Sequence, residues 1–187
     1  ARISKLIMMG ALDDAEVLVE SIHPISNTAF LDLWANIAFL TKRVDGFCNM
    51  ILERPSEKNF LMHRIICLAR SGDWNAAALA LATYSSIGDI DKNLERLLIN
   101  YLDHEAELEI KNEEICLEEQ PVLVYLCDFS GIRPPDNELP LGFLYTNLSR
   151  NKSLRTRINA SEEFVKSGAL DPAILFSNYK IKRPSTS

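Results

Sequence analysis

Apolar residues recur every three or four positions along several stretches of the chain, which is the spacing of one buried face of an α-helix. No run of residues alternates between apolar and polar in the manner of a half-buried strand. The pattern therefore predicts an all-α fold. Its clearest examples are Leu33, Trp34, Ile37 and Leu40, followed by Phe60, Ile65, Leu68 and Ala69.

A short motif, Gly-x-Leu/Trp-x-x-Ala, follows several of these predicted helices. It starts at Gly10, Gly72 and Gly168, and a weaker copy starts at Lys42, so successive copies are 32, 30 and 96 residues apart. Glycine suits the left-handed turn that ends a helix, and the small Ala lets a second helix approach closely. The last gap is three times 32, and such a period is typical of stacked helical hairpins.

Two prolines complete the pattern, since Pro24 and Pro55 lie 31 residues apart and each follows a second helix. This combination of a Gly-x-Leu/Trp-x-x-Ala turn with a closing proline resembles the tetratricopeptide-repeat superfamily. The resemblance implies a right-handed superhelix of antiparallel helical hairpins, with a period of about 31–32 residues rather than 34. We expect a single helical-repeat domain, 1–187, from a longer chain, with regular hairpins at 1–87, an irregular middle at 88–150 and a terminal hairpin at 153–180.

The irregular middle still contains helix signals. Asp91 is placed to cap a helix that runs to Leu102, and Pro121 is placed to open another. The stretch GIRPPDNELP, residues 131–140, is the clearest irregular connection in the chain. Further helices are predicted near 141–150, 153–167 and 171–180.

Charge narrows the possible partners. The net charge of −6 argues against a nucleic-acid binder, as does the lack of aromatic residues interleaved with the basic residues for base stacking. No apolar run reaches the roughly 18–20 residues of a membrane span. Eight acids and one Lys lie between Asp103 and Gln120. A basic patch follows, which either forms solvated helix faces or meets an acidic partner or surface: Arg150, Lys152, Arg155 and Arg157.

The four cysteines, Cys48, Cys67, Cys116 and Cys127, show no C-x-x-C spacing and lie in apolar or helical contexts. We interpret them as buried free thiols, which slightly favours the cytoplasm, with export open if a signal peptide has been removed. His63 and Cys67 are four residues apart on one predicted helix. Two ligands are too few for a metal site, so we predict no metal.

No nucleotide-binding, nucleophile or metalloprotease motif is present, so we predict a chain without cofactor that is not an enzyme. The resemblance instead implies a scaffold that binds another protein or a peptide on a concave face. The alternative is the helical accessory region of a larger enzyme, such as a soluble lytic transglycosylase.

The concave-face positions follow from the resemblance by counting back from each anchor. They lack the Lys, Arg and Asn cluster that clamps a C-terminal carboxylate, so a partner would bury side chains there instead. The alternative is that these residues only pack against the adjacent hairpin. The positions are Asp32 and Asn36, then Asn59, Met62 and Ile66, and finally Arg155 and Glu162.

Overall fold

Helices form every regular element that the computed structural model describes, which covers residues 2–22, 27–54, 58–87, 90–103, 116, 120–132 and 140–181. The all-α prediction is confirmed over these ranges. The α-helices are α1 Arg2–Met9, α2 Leu12–Glu20, α3 Thr28–Thr41, α4 Asp45–Leu52, α5 Leu61–Arg70, α6 Trp74–Ile87, α7 Lys92–Leu102, α8 Pro121–Phe129, α9 Leu154–Lys166 and α10 Pro172–Tyr179. Two 3₁₀ helices span Lys58–Phe60 and Leu141–Leu148.

The three motif glycines each end a helix in the same local turn. Gly10, Gly72 and Gly168 have φ of +79°, +88° and +77°. In each turn the glycine N–H donates to the carbonyl three residues before it, and the next N–H donates to the carbonyl five residues before it. This pair of bonds satisfies carbonyls that a helix end would otherwise leave unpaired. The helix–helix turns are therefore where the motif predicts them, whereas the superhelix stays a prediction.

Two further left-handed residues share this role. Lys42, the weaker motif copy, has φ +63° at the end of α3. Gly131 has φ +75° and makes the same two hydrogen bonds as the motif glycines, to the carbonyls of Asp128 and Cys127. The residues after Gly131 lack the Leu and Ala of the motif, and the sequence predicts only an irregular connection there.

Several local predictions are confirmed, with one difference. The Asp91 side chain accepts hydrogen bonds from the N–H groups of Asn93 and Leu94, at 2.8 and 3.2 Å, and Pro121 begins α8. The helix expected near 141–150 is 3₁₀ rather than α. Pro24, Pro55 and most of the acidic stretch after Asp103 lie outside the described residues.

α3 packs against elements that are close to it in sequence and against others far along the chain. Consecutive helices pack on one another from α1 to α8, and α9 packs on α10 and on the 3₁₀ helix Leu141–Leu148. α3 also contacts α8 and that 3₁₀ helix, both far along the chain. A linear stack, in which each repeat touches only its neighbours, would not bring α8 against α3. Six of the fourteen residues of α3 are buried: Leu31, Ala35, Ile37, Ala38, Phe39 and Leu40.

The interpretation of the cysteines as free thiols is wrong. A disulfide between Cys48 and Cys67 joins α4 to α5, with their Cα atoms 5.0 Å apart. A second disulfide joins Cys116 to Cys127 on α8. The absence of C-x-x-C spacing did not indicate either bond, because packing, rather than proximity in sequence, brings the paired cysteines together. The argument for a reducing compartment rested on free thiols and no longer holds, since disulfides persist in oxidising compartments.

We expect loss of the Cys48–Cys67 disulfide to destabilise the chain. Closing a loop of 19 residues removes unfolded-state entropy worth about 3 kcal/mol. The double variant Cys48→Ala/Cys67→Ala should lose about that much free energy of unfolding in urea titrations. Thiol titration of the unfolded, unreduced chain should find no free thiol, and four free thiols would contradict the assignment.

His63 is half-buried and lies against a cluster of aromatic rings that belong to the core. The rings of Phe39, Phe60 and Phe47 surround its imidazole edge-on or tilted, with centroids 4.9, 5.4 and 5.8 Å away. Its Nδ1 is buried and has no hydrogen-bond partner among the described residues. Burial lowers the pKa of His63 to about 4, because the charged imidazolium is poorly solvated there.

We predict that His63 makes the fold sensitive to acid. The folded-state pKa of about 4 lies below the ordinary value of 6.5, so the unfolded chain binds the proton first as pH falls. The stability that depends on neutral His63 is fully present above pH 6.5. By pH 4 this stability is lost, which lowers the free energy of unfolding by up to about 3 kcal/mol. The variant His63→Phe keeps a ring in the cluster and should flatten this part of the stability profile. Parallel profiles for the two proteins would contradict the prediction.

Candidate functional site

α6 exposes an unusually apolar surface. Its fourteen residues include no charge, and only Ala77 and Leu81 are buried. Leu79 and Ile87 are 70% and 68% exposed, and Trp74 is 51% exposed. A helix on the surface of a globular protein normally turns charged residues towards water. Several large apolar side chains exposed on one helix are a feature of interaction sites.

A groove lies between α6 and α7 beside this surface. Four residues spaced at i, i+3, i+4 and i+7 on one face of α6 form one wall. The other wall consists of three residues spaced at i, i+4 and i+7 on α7 and of Asp103, which follows the end of that helix. The groove has a volume of about 330 Å³. Its lining residues are Ala78, Leu81, Ala82 and Ser85 on α6, with Glu95, Ile99, Leu102 and Asp103 at α7.

The dimensions of the groove follow from its lining. A stripe of seven helical steps is about 10 Å long, at a rise of about 1.5 Å per residue, which is two turns of a helix. Ala78 and Ala82 leave space because neither side chain extends beyond Cβ. Ile99 is half-exposed on the opposite wall. The arrangement can therefore accept apolar side chains inserted from outside.

The structure separates the predicted concave-face residues. On α3, Asp32 is exposed and Asn36 is half-buried. Asn59 is exposed next to α5, where Met62 packs against the core. Ile66 is 0% exposed, so its side chain presents no surface to a partner in this conformation.

The remaining two concave-face positions lie on α9, which packs on α10 and on the 3₁₀ helix Leu141–Leu148. Arg155 is exposed, whereas Glu162 is half-buried and accepts a hydrogen bond from the hydroxyl of Tyr179 on α10. That contact places Glu162 between the two helices of its own hairpin.

Two members of the basic patch serve the fold. Lys152 is only 10% exposed and pairs with Asp128, which also pairs with Lys42. Arg157 donates to the side-chain oxygen of the buried Asn178. Arg150 and Arg155 are exposed, so the patch retains two of its four members as surface.

The ion triad of Lys42, Asp128 and Lys152 joins α3 and α8 to the segment before α9. Burial alone would raise the pKa of Asp128, but hydrogen bonds from Lys152 and Lys42 outweigh it and hold that pKa below its usual range. This role of Asp128 was not predicted from the sequence. The available signal was a lone acid within the apolar run VLVYLCDF, because an unpaired charge is seldom placed in such a run.

A second depression, of about 380 Å³, lies beside the Cys48–Cys67 disulfide. Its cation, Arg70, pairs with Asp45, with Nε and Oδ1 3.0 Å apart. Within the described part of the chain, no three His, Cys, Asp or Glu side chains are grouped to hold a metal. Cys67 is already bonded to Cys48, so it does not pair with His63 as a ligand. The apolar groove is therefore the better candidate site.

Comparison with protein-family models, curated proteins and solved structures finds no match for this chain. The resemblance to the tetratricopeptide-repeat superfamily accordingly stays a prediction. Among the described helices, none combines the length and the apolar character needed to cross a membrane.

We expect Asp128→Asn to destabilise the chain by about 3 kcal/mol, because it leaves the two lysine ammonium groups without their shared carboxylate. The matched control is Asp45→Asn, which breaks the exposed pair with Arg70 and should cost less than about 1 kcal/mol. Urea unfolding of both variants measures the difference. Equal losses would show that the triad is no stronger than a surface pair.

Proposed function

We propose that this chain is a non-enzymatic interaction module that binds a segment of another protein in the groove between α6 and α7. The observation that carries the proposal is α6 itself, an uncharged helix with eight of its fourteen residues exposed. Keeping such a surface in water is unfavourable, and covering it on binding releases that cost.

The shape of the site supports the same function. A groove between two helices, with apolar residues on both walls, is a recurrent way to hold a protein segment. Ile99 is an exposed large side chain in its lining, of the kind that becomes a buried anchor in a complex. Among the eight described lining residues, no two form a pair of nucleophile and general base, and no group of them forms a set of metal ligands.

This proposal keeps the class of function implied by the sequence and moves the site. The concave-face assignment needed Met62 and Ile66 to face a partner, whereas Met62 packs against the core and Ile66 is buried. On α3, the Phe39 ring contacts Tyr125 of α8 at 5.1 Å between centroids. Because the apolar faces of α3 and α8 already contact each other, less of the α3 surface is open to a partner.

Site-specific crosslinking tests the proposal. A photoreactive amino acid at Ile99 should form adducts with a protein in extracts of the source cells, because this position lines the groove. The control is the same amino acid at Val17, which is at least as exposed but lies on α2. The double variant Ala78→Gln/Ala82→Gln fills the groove and should remove the adduct at residue 99.

A further control separates the groove from general effects of substitution. Ala173→Gln introduces the same change at an exposed alanine of α10 and should leave the adduct intact. Circular dichroism should show equal helicity in all variants, since Ala and Gln have similar helix propensities. Equal adducts at residues 17 and 99, or no loss of adduct on filling the groove, would contradict the proposal.

A further inference from the structure

α10 has the reverse of the usual arrangement of polar and apolar residues. Its one buried residue is Asn178, whose side-chain amide donates to the hydroxyl of Ser161 at 2.9 Å. A surface helix normally buries apolar side chains and turns polar ones towards water. In α10 three large apolar side chains are exposed instead, as is Ile181 just after the helix. The three are Ile174, Phe176 and Tyr179, at 46%, 62% and 51% exposed.

This exposed surface extends far around the helix. Among the described elements, α10 packs on α9. Ile174 and Phe176 lie about 160° apart around the helix axis, at about 100° per residue. The residues on the arc between them are exposed as well: Ala173, Ser177 and Lys180. An apolar stripe that packs against a protein core is typically about 100° wide. The surface is therefore wider and more convex than one neighbouring helix would cover.

The segment around this surface is basic, although the chain as a whole is acidic. Residues 150–181 include six Lys or Arg and three Asp or Glu, so they carry a net charge of +3 in a chain of net charge −6. The three acids already have hydrogen-bond or ion-pair partners within the segment: Glu162, Glu163 and Asp171. The charge left over in this segment is positive.

Two exposed cations adjoin the apolar residues. Lys180 directly follows α10 and lies on the exposed arc. Arg155 is seven residues before Glu162, so the two share one face of α9. That face adjoins α10, because Glu162 accepts a hydrogen bond from the Tyr179 hydroxyl. Neither Arg155 nor Lys180 has a side-chain partner among the described residues.

A broad apolar surface with cations beside it matches the surface of an anionic lipid bilayer. Lipids adapt to a convex helix, and Lys and Tyr side chains keep their polar tips at the headgroups while their apolar parts lie deeper. Nucleic acid fits less well, since Ile174 and Ile181 offer no ring for base stacking. Salt screens the acidic remainder of the chain beyond about 8 Å at physiological ionic strength. The cations nearest the membrane therefore decide the attraction.

We propose that the α10 surface, formed by Ile174, Phe176, Tyr179 and Ile181, binds the surface of an anionic lipid bilayer. Its apolar side chains enter the boundary between headgroups and acyl chains, and Arg155 and Lys180 contact the anionic headgroups. α10 lies on the membrane and does not cross it. This surface is separate from the groove between α6 and α7, so the inference goes beyond the proposed function and does not depend on it.

Vesicle co-sedimentation tests the inference with the disulfide-bonded chain. One set of vesicles is phosphatidylcholine alone, and the other contains about 30% phosphatidylglycerol. The chain should bind the anionic vesicles at least about tenfold more strongly at about 50 mM salt. Raising the salt to about 300 mM should shrink that preference. Absence of binding to either set at about 1 mM lipid, or equal binding to both, would overturn the inference.

A charge variant and a matched control locate the preference. Arg155→Gln/Lys180→Gln should reduce the preference for anionic vesicles to less than about threefold. The control Lys5→Gln/Lys92→Gln removes the same charge from exposed positions on α1 and α7 and should leave the preference unchanged. Equal losses in the two variants would mean that net charge, rather than the α10 surface, attracts the vesicles, and would contradict the inference.

An apolar variant has its own control. Ile174→Gln/Phe176→Gln should weaken binding to anionic vesicles at least about tenfold, because the inserted apolar area is lost. Leu79→Gln/Ile87→Gln changes side chains of α6 that are at least as exposed and should leave binding intact. Circular dichroism should show equal helicity in all variants, since Gln is a good helix former. Equal weakening by both pairs would overturn the assignment to α10.

A direct readout of insertion completes the test. A tryptophan introduced as Phe176→Trp should be quenched by brominated lipid in anionic vesicles, whereas Leu79→Trp should not. Quenching of the second tryptophan alone would contradict the inference. A dimer in lipid-free sedimentation that Ile174→Gln/Phe176→Gln abolishes, with no vesicle binding, would make a second copy of this chain the occupant instead. The crosslink at residue 99 tests the groove separately, so either proposal can fail alone.

Discussion

The packing of α8 on α3 is the contact on which the rest of the structure depends. It brings Tyr125 against Phe39 within the aromatic cluster, and it brings Asp128 between Lys42 and Lys152. Burial of the rings supplies non-directional stabilisation, whereas a half-buried carboxylate between two ammonium groups is satisfied in only one arrangement. The apolar contact therefore supports the association of the two helices, and the ion triad sets their register.

This contact also influences which helix keeps an exposed apolar face. An apolar helix face must be covered by neighbouring elements. The apolar residues of α3 are covered by α2, α4, α8 and the 3₁₀ helix Leu141–Leu148. α6 has fewer neighbours, since it packs on α5 and α7, and its outer face stays in water. The surplus of apolar surface thus falls on α6.

Local and long-range features differ in how well sequence could predict them. Gly10, Gly72 and Gly168 were predictable because a left-handed turn favours glycine whatever surrounds it, and the Asp91 cap and the Pro121 start are local in the same way. The groove was not predicted, although its main signal was visible as the long uncharged stretch around α6. An uncharged helix reads equally well as core or as surface until its neighbours are known.

The sequence by itself determined the helical class, the turns that end several helices and the overall acidity, because each depends on residues within one or two helical turns or on composition alone. The tertiary structure decided which cysteines pair, which basic residues form ion pairs within the fold and which apolar face remains exposed. Cys48 meets Cys67, and Lys152 meets Asp128, only after separate helices have packed. A side chain's function depends on its neighbours, and those neighbours are set by packing between elements that no local pattern encodes.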